Sequence, residues 1–442
     1  MHMKTQKKFK SKWGFLLTSV GSAVGMANVW GFPYKVSSNG GGSFLIYYLL
    51  FIALFSYVGL SAEYAIGRRA ETGTLGAYEY AFRSNKMHGL GKFIGYLPLL
   101  GSICISIGYA VIISYILKSL VDSFTGTLMT VDTLAWFQSF ALESFKVLPY
   151  HFIVVLITLL TCITGAHSIE KANKVMMPLF FVLFVFLAIR VALLPNALEG
   201  YKFIFTPNPA ELTDPTTIVN AMGQAFFSLS ITGSGMIVCG AYLSKEEDIV
   251  SGAKQTAIFD TIAAFVAALV MIPALFAFHQ DQVGGPDLLF VILPKILQEI
   301  QGGQIFAIVL FVAVLFGGIS SLQNMYEVVC ESILHRHPKL SRKLVLLMIG
   351  LVSFIPGIFM EDIVHWGPWM DLISIYIIPL GATLGAISWF WILKKDELLD
   401  EINTGIGGKK PYGNTWYALG KYLYVPLSIL LCLIALIFKI AF

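Results

Sequence analysis

Eleven apolar runs, each long enough to cross a bilayer as a helix, follow one another along this chain and leave it few ways to fold. They fall at about 13–37, 43–67, 89–120, 149–166, 172–193, 217–243, 254–280, 303–334, 343–360, 367–393 and 417–441. A membrane's hydrocarbon core takes ~20 apolar residues per helix, so 442 residues divide into these spans and short loops rather than into soluble domains. Composition agrees: 57% of residues are hydrophobic and 13% charged, where soluble domains have ~45–50% and ~25%. A mean hydropathy of +0.76 is too high for a single anchor on a soluble body. The first run has no small-residue cleavage site behind a short apolar core, and more spans follow it, so it reads as a span and not as a signal peptide.

The net charge of +4 requires no acidic partner. When the spans are counted, Lys4, Lys7, Lys8, Lys10 and Lys12, then Arg68–Arg69, Lys171 and Lys174, and the stretches Arg336–Lys343 and Lys394–Lys410, all fall on one side of the membrane. This is the positive-inside pattern. It predicts a multi-pass protein of the cell membrane, with a cytoplasmic N-terminus and, after eleven spans, a C-terminus outside. Nucleic acid has no place in the account. The five cysteines (Cys104, Cys162, Cys239, Cys330, Cys432) sit inside apolar runs without metal-ligand spacing and read as packing residues, not disulfide partners. Two connections are longer than bare turns. Residues 121–148 are polar with aromatics, and 281–302 carries Gly284-Gly285-Pro286, which suits a lid over a vestibule as well as an ordinary loop.

The first and sixth spans are poor material for continuous helices. One contains Gly21-Ser22-Ala23-Val24-Gly25-Met26-Ala27-Asn28-Val29-Trp30-Gly31-Phe32-Pro33, the other Gly223-Gln224-Ala225-Phe226-Phe227-Ser228-Leu229-Ser230-Ile231-Thr232-Gly233-Ser234-Gly235. Glycine and proline both disfavour a helix interior. A backbone break at membrane depth is tolerated only where it is buried in protein or lines a cavity. Small residues also serve close helix packing, but two such segments at matching places, five helices apart, are the pattern of inverted repeats. A repeat of five helices enters the membrane from opposite sides in its two copies.

Each break exposes N–H groups with partial positive charge at one helix end and C=O groups at the other. The first can hold a carboxylate, the second a bare cation. Few acids lie at membrane depth: Glu63, Asp260, Glu327 and Asp371. No His/Cys cluster suggests a transition metal, whereas carbonyl, hydroxyl and amide oxygens suit a hard ion such as sodium. Span eight adds Phe316-Gly317-Gly318-Ile319-Ser320-Ser321, although serines in membrane helices commonly bond back to the preceding turn.

The stretches Trp13-Gly14-Phe15, Gly21–Gly25, Asn28–Pro33, Asn39-Gly40-Gly41-Gly42-Ser43-Phe44 and Gly223–Ser230 resemble the signature of the neurotransmitter:sodium symporters, in their bacterial branch. The resemblance runs through residues 10–393. It implies the LeuT-type fold, an all-α membrane protein with a 5+5 inverted repeat and interrupted helices 1 and 6. The first repeat would be 10–200, the second 210–393, and 415–442 an additional C-terminal helix. It also implies sodium-coupled import of an amino acid or related amine by alternating access.

The resemblance implies two sodium sites. One would use Ala23, Asn28, Ser228 and Asp260. The other would use the carbonyls of Gly21, Val24 and Gly317 with the hydroxyls of Ser320 and Ser321. The substrate would lie among Ser22, Ala23, Met26, Ala27, Tyr109, Phe227, Ser228, Ser230, Gly233, Ser321 and Met325, with Tyr109 on its carboxylate and Phe227 capping it. Glu63 would support the unwound part of span six, or simply be a polar helix end. The family's ion site usually has an amide where this chain has Asp260. An acid there supplies negative charge covalently, so chloride is not expected, and its protonation would allow proton antiport. A place facing a cytoplasmic vestibule is the other reading of Asp260.

Several positions depart from the family pattern. Gly31 stands where the family has an arginine that pairs with a span-ten acid. Asp371 is that acid here, and Lys35, one turn further out, is the nearest replacement, although Arg and Lys are not equivalent in such pairs. The outer gate is then expected to be looser, or to close mainly through Tyr109 and Phe227. Near His335 the usual inner acid is missing. Gly233 replaces a bulky residue and is expected to enlarge or hydrate the pocket, with Gln323 and Asn324 near its far end, which points to a hydrophobic or aromatic side chain larger or more polar than leucine. The family's twelfth span has no counterpart, which leaves the oligomeric state open. No metalloprotease motif, catalytic carboxylate pair or nucleophile elbow points to an enzyme. The rival reading is a non-transporting amino-acid sensor on the same fold.

Overall fold

The computed structural model describes residues 8–83, 85–279 and 284–441. Lys4 and Lys7 of the basic tail and positions 281–283 of the longer loop lie outside them. Among the described residues the chain is helical, with one isolated backbone bridge between Gly41 and Pro207. All eleven apolar runs form helices. Span one is Lys12–Ala23 with Ala27–Ser38, span two Gly42–Ala70, span three His88–Thr125, span four Leu148–Thr161 and span five Ala166–Ala192. Span six is Pro215–Ser228 with Gly235–Ala241, and spans seven and eight are Ile249–Ala277 and Gly303–Arg336. Arg342–Ile358, Ile363–Ile392 and Asn414–Phe438 complete the set. Among the described residues, seven of these helices are long and apolar enough to cross a membrane singly, and span one joins them as a pair bent by 61°.

The packing of spans repeats when five is added to each number. Span one packs on seven as six packs on two; five packs on eight as ten packs on three; three packs on nine as eight packs on four. Three with eight and four with nine pack on their own counterparts. That is the contact map of a five-plus-five inverted repeat. Close crossings use missing side chains, as membrane helices do. A β-carbon at Gly67 would strike the Ile237 carbonyl, and one at Gly240 would strike the backbone of Tyr64, which is how span two lies so near the second half of span six.

Buried apolar side chains form two clusters, one centred on spans three, five, eight and nine, the other on two, six, ten and eleven. Span one contributes Leu16, Val20 and Val24 to the first and Phe15, Ala23 and Phe32 to the second, so its break falls on the seam. All five cysteines are free, and only Cys104 is not fully buried. Of the long connections, 121–148 carries the helix Thr133–Ala141. The 281–302 segment is helical over Leu288–Ile292 and Leu293–Glu299, and Gln298 donates to the carbonyls of Leu128 and Val131, so these residues form a docked element.

Candidate functional site

In span one the helix stops at Ala23 because Val24 turns extended, with φ −72° and ψ 112°. It restarts at Ala27–Gly31 as a wider π-turn that leads into Pro33, whose missing N–H would break a regular turn there. The N–H groups released at the break are taken by side chains. Gly25 donates to Asn28 Oδ1 at 3.1 Å and Met26 donates to the Tyr109 hydroxyl oxygen at 2.8 Å. Gly25 must be glycine for this approach, since a β-carbon there would lie 2.8 Å from Ser321 Oγ and closer still to the Tyr109 oxygen. In span six, Leu229–Ser234 is non-helical. Ser230 and Gly233 both have positive φ, 51° and 73°, and Glu63 Oε1 accepts from the Gly233 N–H at 2.7 Å.

Beside the two breaks, three polar side chains from three spans converge. Asn28 Nδ2 donates to Asp260 Oδ1 at 2.8 Å, and Ser228 Oγ donates to Asp260 Oδ2 at 2.7 Å. Asn28 Nδ2 also lies 3.3 Å from Ser228 Oγ. All three are fully buried. Both carboxylate oxygens thus face neutral donors, with no cationic side chain paired to them among the described residues. A buried charge held only this way is poorly compensated.

A second group of oxygens meets on the other side of span one. Ser321 Oγ donates to the carbonyl of Val24 at 2.8 Å and lies 3.2 Å from that of Gly21, while Ser320 Oγ donates to Gly317 O at 2.8 Å. Ser320 bonds back within its own helix, as serines there commonly do. Ser321 does not, and crosses to span one. The five residues named for a second ion in the sequence analysis are therefore together.

A cavity of about 90 Å³ lies between the breaks. Its wall includes Ser22, Ala23, Ala27, Tyr109, Phe227, Ser230, Ser321 and Met325 from the expected set. Ser228 sits behind it with Asp260. Met26 is buried and reaches the site only through its N–H on Tyr109. Gly233 corrects the sequence expectation: it is off the wall, and a β-carbon there would meet the Gly381 carbonyl at 2.6 Å and the Tyr78 hydroxyl at 2.5 Å, so it fits a crossing and does not widen the cavity. Asn324 is on the wall, but Gln323 turns away to accept from Asn173 Nδ2 at 3.2 Å. Ser102, Thr232, Ser234, Val328, Ile377 and Ile378 complete much of the lining and were not anticipated.

The two ends of the bundle differ from the sequence expectation. Asp371 is exposed and makes no ion pair among the described residues, so the suggested Lys35–Asp371 contact is not formed. Gly31 leaves room near Gln224, whose Nε2 donates to the Ala27 carbonyl at 3.2 Å. At the other end, buried Glu327 accepts from both Arg342 and the Tyr242 hydroxyl, and Arg342 also donates twice to the Cys162 carbonyl, at 2.8 and 3.0 Å. Phe9 N donates to Tyr242 O at 3.1 Å and the two rings stand edge to face. An ion pair thus lies at this end, its Glu327 just over two helical turns inside His335.

The family model described as the sodium:neurotransmitter symporter family matches residues 6–145 and 137–441. The chain belongs to that family. It is 32% identical over 453 aligned residues to the uncharacterised sodium-dependent transporter YhdH of Bacillus subtilis (strain 168), covering 98% of each chain. An uncharacterised sodium-dependent transporter of Haemophilus influenzae is 27% identical, with 99% of this chain and 100% of the relative covered. The solved structure of MhsT in complex with L-phenylalanine superposes with a TM-score of 0.86 at 30% identity, covering 97% of this chain and 99% of the other. The sodium:neurotransmitter symporter family is one of multi-pass membrane transporters, not of enzymes, and this member has its LeuT-type fold.

Proposed function

We propose that this chain is a sodium-coupled symporter that imports a neutral amino acid or related amine by alternating access, with two sodium sites beside one substrate site. The observation that carries the proposal is the meeting of Asn28, Ser228 and Asp260 at a buried point next to the span-one break. A carboxylate with only neutral donors suits a small cation better than it suits isolation. On this reading Ala23 O, Asn28, Ser228 and Asp260 bind one sodium, and Gly21, Val24, Gly317, Ser320 and Ser321 bind the other. The hydroxyl protons now on carbonyls would swing away as the ion takes those oxygens.

The substrate would lie with its carboxylate at the restarted N-terminus of span one, where helix-end N–H groups favour an anion. Tyr109 accepts from Met26 through its oxygen, which leaves its own proton to donate to that carboxylate. The amine would face the ends of the broken helices near Ala23, Phe227 and Ser230, and Phe227 would cap the cavity. Met325, Ile105 and Phe227 on the wall, with the L-phenylalanine of the MhsT structure, support a hydrophobic or aromatic body for the side chain. Asp260 supplies the fixed negative charge of the ion site, so chloride has no role to fill. The basic loops support a cytoplasmic N-terminus and an outside C-terminus in the cell membrane.

The test is thermal stabilisation of the purified protein by each of the twenty amino acids, in sodium and in potassium. At least one amino acid should raise the melting temperature in sodium and not in potassium. Equal stabilisation in both salts would remove the ion assignment.

A further inference from the structure

Within the cavity, one stretch of wall is unlike the rest. Ser102 of span three, Thr232 and Ser234 of the span-six break form a string of hydroxyls: Ser102 Oγ lies 2.9 Å from Ser234 Oγ, and Ser234 Oγ lies 2.8 Å from Thr232 Oγ1. At the far end of the string Ser102 is also 3.1 Å from the Pro98 carbonyl. All three hydroxyl-bearing residues line the cavity. Their contacts leave the string unfinished. Ser102 donates to Ser234, its proton shared with the Pro98 carbonyl, and where Thr232 donates to Ser234 in turn, Thr232 is left with open lone pairs. Where Ser234 donates to Thr232 instead, Thr232 is left with an unused proton. The hydroxyl rotors of Ser234 and Thr232 make either of these available. The open end therefore accepts or donates as its visitor requires.

The position suits a substrate's side chain. Ser102 lies seven residues before Tyr109 on the same helix, ~10 Å along the axis at ~1.5 Å per residue. The string and Tyr109 thus line different depths of one cavity, as the two ends of a bound amino acid would require. A second polar pair, Asn324 Nδ2 donating to Ser22 Oγ at 2.5 Å, faces the same cavity.

We infer that the Ser102–Ser234–Thr232 string is a specificity element, and that the substrate is a neutral amino acid whose side chain ends in a hydroxyl or carboxamide. This rests on the proposed function of the same cavity. An apolar tip would leave the open end of the string unmatched, and a polar one completes it. Sites built to hydrogen-bond a substrate group reject analogues that lack it far more strongly than apolar pockets discriminate by size.

The experiment is sodium-dependent binding by the purified full chain to near-isosteric pairs: threonine and valine, asparagine and leucine, glutamine and methionine, tyrosine and phenylalanine. In the pair that binds most tightly, the polar member should win by about tenfold or more. In the variants S234A, S102A and T232V the ratio should fall below about threefold, with retained sodium-induced stabilisation showing that each variant is folded. A pair ratio of one or less, or a ratio that survives all three substitutions, overturns the inference while leaving sodium-coupled amino-acid binding intact. Absence of sodium-dependent binding by any amino acid overturns the function reading, and this inference with it.

Discussion

Asn28 and Asp260 lie 232 positions apart and meet at 2.8 Å, the Asn28 amide donating to one carboxylate oxygen while Ser228 takes the other. The amide is also turned by Gly25, whose N–H occupies its oxygen. One asparagine thus links the span-one break, the span-six break and span seven.

Replacing Asp260 by Asn removes the charge and keeps the shape. Sodium titrations should show half-saturation rising by about tenfold or more, equivalent to ~1.4 kcal/mol, in chloride-free buffer. Uptake by the unmodified protein should be the same in chloride and gluconate. If Asp260 also returns a proton, the pH dependence of uptake should flatten in D260N; the same profile in both proteins would dismiss proton antiport.

Ser321 bridges the carbonyls of Gly21 and Val24 from another span. In Ser321→Ala the lost hydrogen bond costs ~1 kcal/mol of stability, so the protein should still fold. Its sodium dependence, measured by binding at fixed substrate, should become less cooperative and shift to higher concentration. Ser320→Ala, which removes a bond made within one helix, should shift it less.

How much of this was legible in the sequence depends on whether a residue's neighbours announced it. Asn28, Ser228 and Glu63 lie in or face glycine-rich breaks that no continuous membrane helix would choose, so the breaks pointed to them. Ser102 had no such mark. Ser106, Ser114, Ser119 and Ser123 on the same helix all bond back to carbonyls three or four residues earlier, and local sequence does not separate Ser102 from them. Arg342 was hidden for another reason. It stands in a basic stretch that the positive-inside pattern accounts for completely, and only the fold reveals that it reaches buried Glu327. Gly233 misled because family resemblance gives a position and not a direction, and the left-handed backbone there turns it toward Gly381.

Arg342 and Glu327 form a pair in which Glu327 is 1% exposed. Arg342→Leu strands a buried carboxylate and should destabilise the protein by ~3–5 kcal/mol. The double replacement R342L/E327L should recover much of this, because neither charge is left unmatched. Denaturation midpoints of the two single variants and the double variant decide it; additive losses would mean that the contact is unimportant.

Asp248 caps span seven, accepting from the Ser251 N–H at 2.9 Å and from Lys409 at 2.8 Å. Burial pushes its carboxyl up, but the Lys409 ammonium and the N–H groups of Ser251 and Val250 outweigh it, and the net direction is below the ordinary carboxylate range. A lowered acid stabilises the fold above its unfolded pKa, ~3.9, and that stability is lost as pH falls through the folded value. Asp248→Ala should cost ~1 kcal/mol at neutral pH. The difference from the unmodified protein should shrink on acidification below about pH 4.

Sodium-driven uptake into proteoliposomes tests the central claim most directly. With an inward sodium gradient, the amino acid that stabilises the purified protein should accumulate above its outside concentration, and accumulation should stop when potassium replaces sodium outside. Sodium-dependent binding without accumulation would contradict the account and leave a sensor; accumulation unaffected by sodium would contradict both ion sites.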